Sequence, residues 1–316
     1  MSLVRIGRNN SKWPKPRVLA AALLAACQIV GGFQQPEGGA GGGSGGVGGS
    51  APHPCAPLER KKVSAVDDAV LTLSFSADSC FWIDEDEVTV AQYRLFLEAS
   101  APEWEPERCG WKGMSDPSDP TLAEDACGST IEGQGDAFAD DKPIRCVDWC
   151  DAAAYCDWVD RRLCEDAIVA FGAQEPTNTV DEFGAACALG ETLFPWGNDP
   201  DVDRCNVGQT PAGSCQHGTL FDCGPVPGGE YDDCRYDDGA GPKDMIGNVT
   251  EWPRTCAVAE VGAASACERR GGSYATPAPQ ATCQFRGNSA RRDTRAADTG
   301  FRCCVDLTGG EEGQKL

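Results

Sequence analysis

The hydrophobic and polar positions of this chain change period three times. Residues 69–76, Ala-Val-Leu-Thr-Leu-Ser-Phe-Ser, alternate apolar with small or polar side chains and stop before Asp78, which predicts a strand. A helical period follows. Val90, Tyr93 and Leu97 recur at i, i+3 and i+7, with Thr89 and Gln92 in capping-box spacing at the start. A second helix is predicted from Asp148, an N-cap with Asp151 three residues on; Trp149, Ala153, Cys156 and Val159 fall near one face. The intervening stretch, 101–142, is rich in Pro, Gly and acids, and Cys109 and Cys127 are expected to pin it. Past Ala188 regular periodicity fades into short pieces divided by Gly, Pro and Asp. The pattern predicts a coil-rich α+β domain.

The amino-terminal part obeys a different logic. Residues 1–26 hold no acid and five basic residues, and the apolar run Val18–Ala26 ends in Leu-Ala-Ala-Cys at Cys27. Nine apolar residues are too few to span a bilayer, and the order of basic, apolar and small-residue regions is that of a signal peptide. Leu24-Ala25-Ala26-Cys27 resembles the bacterial lipobox, so Cys27 is expected to carry a lipid and to begin the mature chain, anchoring it to a membrane of the cell envelope or exposing it outside the cell. Residues 27–54 are Gly-rich and read as a flexible tether, 55–308 as the folded domain and 309–316 as a disordered tail.

Charge narrows the partners. The formal charge is −22, and removing the five basic residues of the signal takes it to about −27, a surface that repels phosphate backbones and excludes nucleic acid as a partner. The 19 cysteines matter more. With Cys27 lipidated, an even number remains in an exported domain, which predicts a disulfide framework. Thiolate metal sites are disfavoured: no Cys-x-x-Cys occurs, and the only histidines are His53 and His217. Cys256 and Cys267 bracket a short loop and could close it. In the doublet Cys303-Cys304, neighbouring strand residues point to opposite faces, so the two sulfurs should serve different partners, the inward one a reasonable mate for Cys283.

Seven stretches in order, EVTVAQYRLFL (87–97), CVDWCDAAAYCDWVDRRL (146–163), FPWGN (194–198), CNV (205–207), GNVTEW (247–252), RRGGSY (269–274) and TGFRC (299–303), resemble the sulfatase-modifying factor family, whose type member is the formylglycine-generating enzyme. The resemblance implies a single C-type-lectin-like domain. In active members, two cysteines two and seven residues after the aromatic of Gly-Gly-Ser-aromatic bind copper(I) and oxidise a substrate cysteine. Counting from Tyr274, those positions hold Thr276 and Ala281, neither of which can ligate a soft cation. Cys283 lies two residues too far, and Phe285-Arg286 already occupy the downstream family positions. No copper is therefore expected, and Cys283 reads as a disulfide half. Ser273, Arg286 and Arg302 keep family positions around the pocket.

The same resemblance suggests a structural calcium ion held by Asp244, Glu251 and the carbonyls of Gly247 and Val249; the alternative is a Gly-Asn turn with Glu251 paired to an arginine such as Arg254. Asn206 and the carbonyl of Val207 resemble part of a second calcium site. Together these readings point to a lipid-anchored domain that binds a protein, peptide or glycan rather than performing the copper reaction. The alternatives are an active sulfatase-modifying oxidase and a purely structural envelope protein.

Overall fold

The computed structural model describes residues 61–76, 79–99, 106–112, 117, 138–166, 181–188, 192–201, 203–208, 224–236, 239–256, 263–287 and 290–307. The residues read as signal peptide (1–26), tether (27–54) and tail (309–316), with Cys27, Cys127 and most of 101–142, lie outside them.

The predicted strand is β2 (Val70–Ser76), and it pairs on both sides. Its neighbours are β1 (Lys61–Val63) and β3 (Ser79–Asp84), followed by β9 (Cys303–Asp306) and β4 (Arg162–Leu163), in the order β1-β2-β3-β9-β4. All four pairings are antiparallel. The alternation along β2 has an unusual result: Leu71 and Leu73 are buried on one face and Thr72 and Ser74 on the other. On the second face the small side chains let α4 (Glu182–Ala188), itself rich in Ala, approach β2 closely. That helix was not evident from the sequence, because a seven-residue element with a central Gly carries too little periodic signal.

Both predicted helices are present with both capping boxes made. In α1 (Val90–Glu98) the Thr89 side chain accepts from the Gln92 N–H while Gln92 accepts from the Thr89 N–H. In α3 (Trp149–Trp158), Asp148 and Asp151 do the same. The buried stripe of α1 is Val90, Tyr93 and Phe96; Leu97 is only half-buried beside it. Tyr93, Tyr155 and Phe301 pack within 5.4–6.4 Å of one another and join α1 and α3 to the chain entering β9.

Among the described residues from 192 to 300 the chain is mostly turn, with two short ladders, β5 (Thr250–Glu251) with β8 (Thr299–Gly300) and β6 (Ala266–Cys267) with β7 (Ala290–Arg291). Disulfides supply what regular structure does not. Every cysteine among the described residues is bonded, including Cys109–Cys150, Cys205–Cys234 and the expected Cys256–Cys267. The doublet splits as its strand geometry requires, Cys303 to Cys156 of α3 and Cys304 to Cys164. Neither is the mate of Cys283, which is bonded to Cys187 of α4. Both doublet sulfurs are claimed by the chain on either side of β4, which lies directly beside β9.

Charged groups also lie inside. Arg161 bridges Asp84 and Asp67, and Lys112 bridges Asp148 and Asp151. Burial pushes the Asp84 carboxyl up to about 6 against the pull of Arg161, and pushes Asp148 to about 6, helped by the charge of Asp151. Both hold a proton more tightly folded than unfolded, where the value is 3.8. Their stabilising contribution is therefore complete below that value and is lost as pH rises through about 6. The Tm is expected to rise as pH falls from about 7.5 to about 5, and Asp84→Asn to flatten that slope. A Tm that falls over this window, or an unchanged slope in the variant, contradicts the assignment.

Candidate functional site

The family-like segments 247–252, 269–276 and 298–302 meet at one place, and the backbone brings them there. The β5–β8 pair sets Glu251 beside Gly300, and Glu251 and Arg270 exchange both backbone hydrogen bonds at 3.0 Å. Two glycines make the approach possible. Gly247 has φ +81°, and a Cβ there would lie 2.5 Å from the Asn206 carbonyl oxygen; Gly271 has φ +79°, and its Cβ would lie 2.5 Å from that of Met245. No other residue type tolerates both conditions.

The residue at the centre of the turn was not singled out from the sequence. Asn248, at φ 47° and fully buried, accepts on Oδ1 from Asn206 Nδ2 (3.1 Å) and the Val226 N–H (3.0 Å). Its Nδ2 donates to Glu87 Oε1 at 3.1 Å, and its carbonyl accepts the Tyr274 N–H at 3.0 Å. It thereby ties the entrance of α1 to the Ser273-Tyr274 turn. The Gly-Asn dipeptide was the available signal, since Asn tolerates a left-handed backbone.

Arg302 is only 1% exposed. Its Nε lies 2.9 Å from both Glu251 oxygens, Nη1 donates to the carbonyls of Asp84 (3.1 Å) and Glu85 (3.2 Å), and Nη2 donates to that of Lys243 (3.0 Å). Nη2 also lies 2.7 Å from Glu251 Oε1. An arginine satisfied on every side is a structural post and not a ligand-binding group. It is also the partner of Glu251, in place of Arg254, which pairs with Glu165 at 2.6 Å.

Arg286 is similarly engaged, through a two-pronged pair with Asp166 (2.8 and 3.0 Å) and a contact with Glu268 at 3.1 Å. The nearby Asp166 carboxyl also takes Arg270. Ser273 is buried; its hydroxyl donates to Asp298 Oδ2 at 3.2 Å, and its N–H donates to Thr276 Oγ1 at 2.9 Å. Of the three pocket candidates, Ser273 alone pairs with a partly exposed acid through a neutral hydroxyl.

At the two positions where the resemblance would place copper thiols, Thr276 holds the Ser273 backbone and Ala281 is buried in an apolar cluster with Phe183, Met245 and Ala278. Cys283 is buried beyond them, its N–H donating to the Leu193 carbonyl (2.8 Å) and its carbonyl accepting from Arg270 (2.9 Å). Bonded to Cys187, it offers no thiolate. A soft cation finds no donor pair here.

The calcium set is divided. Both oxygens of Glu251 are committed to Arg302, so Glu251 does not fit as a ligand, and among the described residues no group of three His, Cys, Asp or Glu is placed to hold a metal ion. Asp244 differs: Oδ2 accepts the Gly229 N–H at 2.9 Å, but the buried Oδ1 has no hydrogen-bond partner. Burial is the main reason its carboxyl is pushed up to about 7, and the nearby charge of Asp86 adds to it. Glu87 Oε2 is also buried without a hydrogen bond, its carboxyl pushed well up by burial and then by Asp244. Asn206 turns its amide N–H groups to Asn248 and to the Gly224 carbonyl (3.1 Å).

The family described as "Sulfatase-modifying factor enzyme 1-like domain" matches residues 72–307. The chain is 26% identical over 268 residues to "Formylglycine-generating enzyme" of Thermomonospora curvata, covering 72% of this chain and 82% of that protein. It is also 30% identical over 175 residues to "Inactive C-alpha-formylglycine-generating enzyme 2" of Mus musculus, covering 51% of this chain and 48% of that protein. Among solved structures, that of PvdO from Pseudomonas aeruginosa aligns at 16% identity with a TM-score of 0.49, covering 79% of this chain and 99% of that one. Relatives thus include active and inactive proteins, and the chain belongs to the sulfatase-modifying factor enzyme 1-like family.

Proposed function

We propose that this chain is a family member that does not oxidise cysteine and works as an exported, lipid-anchored binding domain for a protein, peptide or glycan. The observation that carries the reading is the fate of Cys283. The one sulfur in the segment that follows Ser273-Tyr274 is buried and bonded to Cys187, and the positions counted for the copper pair hold Thr276 and Ala281. The ligand would meet the loops around Tyr274, Asp298 and Glu268, whose acids remain partly exposed while Arg286 and Arg302 face inward to their own carboxylates. Binding on loops that can change while the sheet and disulfides stay fixed suits such a scaffold.

The reading is tested by incubating the purified domain with copper(I), oxygen and a cysteine peptide bearing a sulfatase motif. No formylglycine above the copper-only control is expected, and turnover to formylglycine contradicts the proposal in favour of an active oxidase. Anchoring is checked by the intact mass of the exported chain: a diacylglycerol-bearing amino terminus at Cys27 is expected, and an unmodified one removes the anchor.

A structural calcium ion stays in the proposal at Asp244, with the carbonyls of Gly247 and Val249 as further ligands, and Asn206 with the carbonyl of Val207 remains part of a separate second site. Chelation is then expected to lower the Tm, and Asp244→Ala to abolish that response; a Tm indifferent to chelator dismisses calcium. Glu251→Gln should destabilise the fold with or without chelator, by about 3–5 kcal/mol, because it leaves Arg302 buried and uncompensated.

A further inference from the structure

A buried lysine is costly, because its ammonium must leave water, and this chain buries one between two acids. Lys112 ends the short turn Gly110–Lys112 that follows α2 (Pro106–Cys109). Its side chain is 4% exposed, and those of Asp148 and Asp151 are 2% and 0% exposed. Lys112 Nζ lies 2.9 Å from Asp148 Oδ2 and donates to Asp151 Oδ1. We propose that this is a site of covalent modification, at which Lys112 Nζ and the Asp151 carboxyl condense into an amide that joins the Gly110–Lys112 turn to α3.

The reacting groups are fixed from both sides. The Cys109–Cys150 disulfide clamps the turn onto the start of α3, three residues before Lys112 and one before Asp151. The capping box orients the two acids. Asp148 Oδ1 accepts the N–H groups of Cys150 (3.0 Å) and Asp151 (3.1 Å), and Asp151 Oδ2 accepts the Asp148 N–H at 3.2 Å. Asp148 Oδ2 and Asp151 Oδ1 are thereby turned to the amine. Groups held in this way react as if at on the order of 10⁵–10⁸ M, which an encounter in water cannot approach.

The two acids differ in what they can do. Asp148 is pushed up to about 6 by burial first and then by the charge of Asp151, so near neutral pH it can take a proton and return it. Arg295 Nη2 reaches Asp148 Oδ2 at 3.7 Å. In the step, Asp148 Oδ2 takes a proton from the ammonium, and the freed nitrogen lone pair attacks Asp151 Cγ. Asp151 Oδ2, held by the Asp148 N–H, takes up the developing negative charge. The bond from Cγ to Oδ1 then breaks. Oδ1 leaves as water with the two protons that the nitrogen gives up, one of them passed through Asp148, which ends as it began. An ammonium and a carboxylate have become a neutral amide and water, and no oxidant or other reactant is consumed. Burying the amide costs less than burying the ions, and its oxygen can keep the capping hydrogen bond. Cys109, Trp149, Cys150 and Ala152, all in the main apolar cluster, wall the site against the water that would reverse the step. The product is a tie between the turn and α3 that survives reduction of Cys109–Cys150.

The purified full-length chain is reduced, alkylated, digested with trypsin and mapped by mass spectrometry. A blocked Lys112 leaves a peptide 109–145 joined to 146–161, and its mass is expected to be one water below the sum of the two. Release of 109–112 with a free Lys112, and of 146–161 alone, overturns the proposal and leaves an ion pair. Lys112→Arg keeps the positive charge without an amine and is the unlinked reference. In Asp148→Asn, whose side chain can still cap α3, the link is expected to form about a hundredfold more slowly. An undiminished rate there overturns the proton transfer assigned to Asp148.

Discussion

The two halves of this domain meet at the Arg302 guanidinium. Its five N–H groups face the carboxylate of Glu251, the carbonyls at the end of β3 and the Lys243 carbonyl. Glu251 comes from the turn-rich half, and β9, which begins directly after Arg302, is the fourth strand of the sheet. Burying two opposite charges is expensive, and here the cost is offset only because every hydrogen-bonding site is filled. Such a junction fixes geometry more than it adds stability. With Glu251 held, Arg270 is held through the paired backbone, and with Arg270 the Cys283 carbonyl and the Asp166 pair with Arg286.

Around that post the chain substitutes disulfides for secondary structure. The ladders β5–β8 and β6–β7 are two residues long on each strand and could not hold the described turns between 192 and 300 alone. Cys205–Cys234, Cys256–Cys267 and Cys187–Cys283 each tie one part of this region to another or to α4. The same chemistry that stabilises the frame removes thiols from it. A sulfur that would be reactive near Ser273 is instead a tie to α4, so framework and redox chemistry exclude each other at that residue.

Much of the frame was legible in the sequence. Alternation located β2, helical spacing and capping residues located α1 and α3, and strand geometry separated the fates of Cys303 and Cys304. What the sequence hid was long-range pairing. Nothing in the chain near Glu251 distinguishes Arg254, three residues away, from Arg302, fifty-one residues away, yet the parallel β5–β8 pair brings the second and not the first. The mate of Cys283 was hidden for the same reason: Cys187 lies on α4, whose existence is set by packing on the small side chains of β2 and not by its own periodicity. Asn248 shows the converse. Its left-handed turn is written in Gly-Asn, but its hydrogen bonds to Asn206, Val226 and Glu87 exist only once three distant segments are assembled.

The account rests on Cys283 being a structural sulfur, and alkylation of the folded, unreduced protein followed by peptide mapping tests that most directly. A Cys187–Cys283 linked peptide with no label on either sulfur is predicted. A labelled, free Cys283 would contradict it.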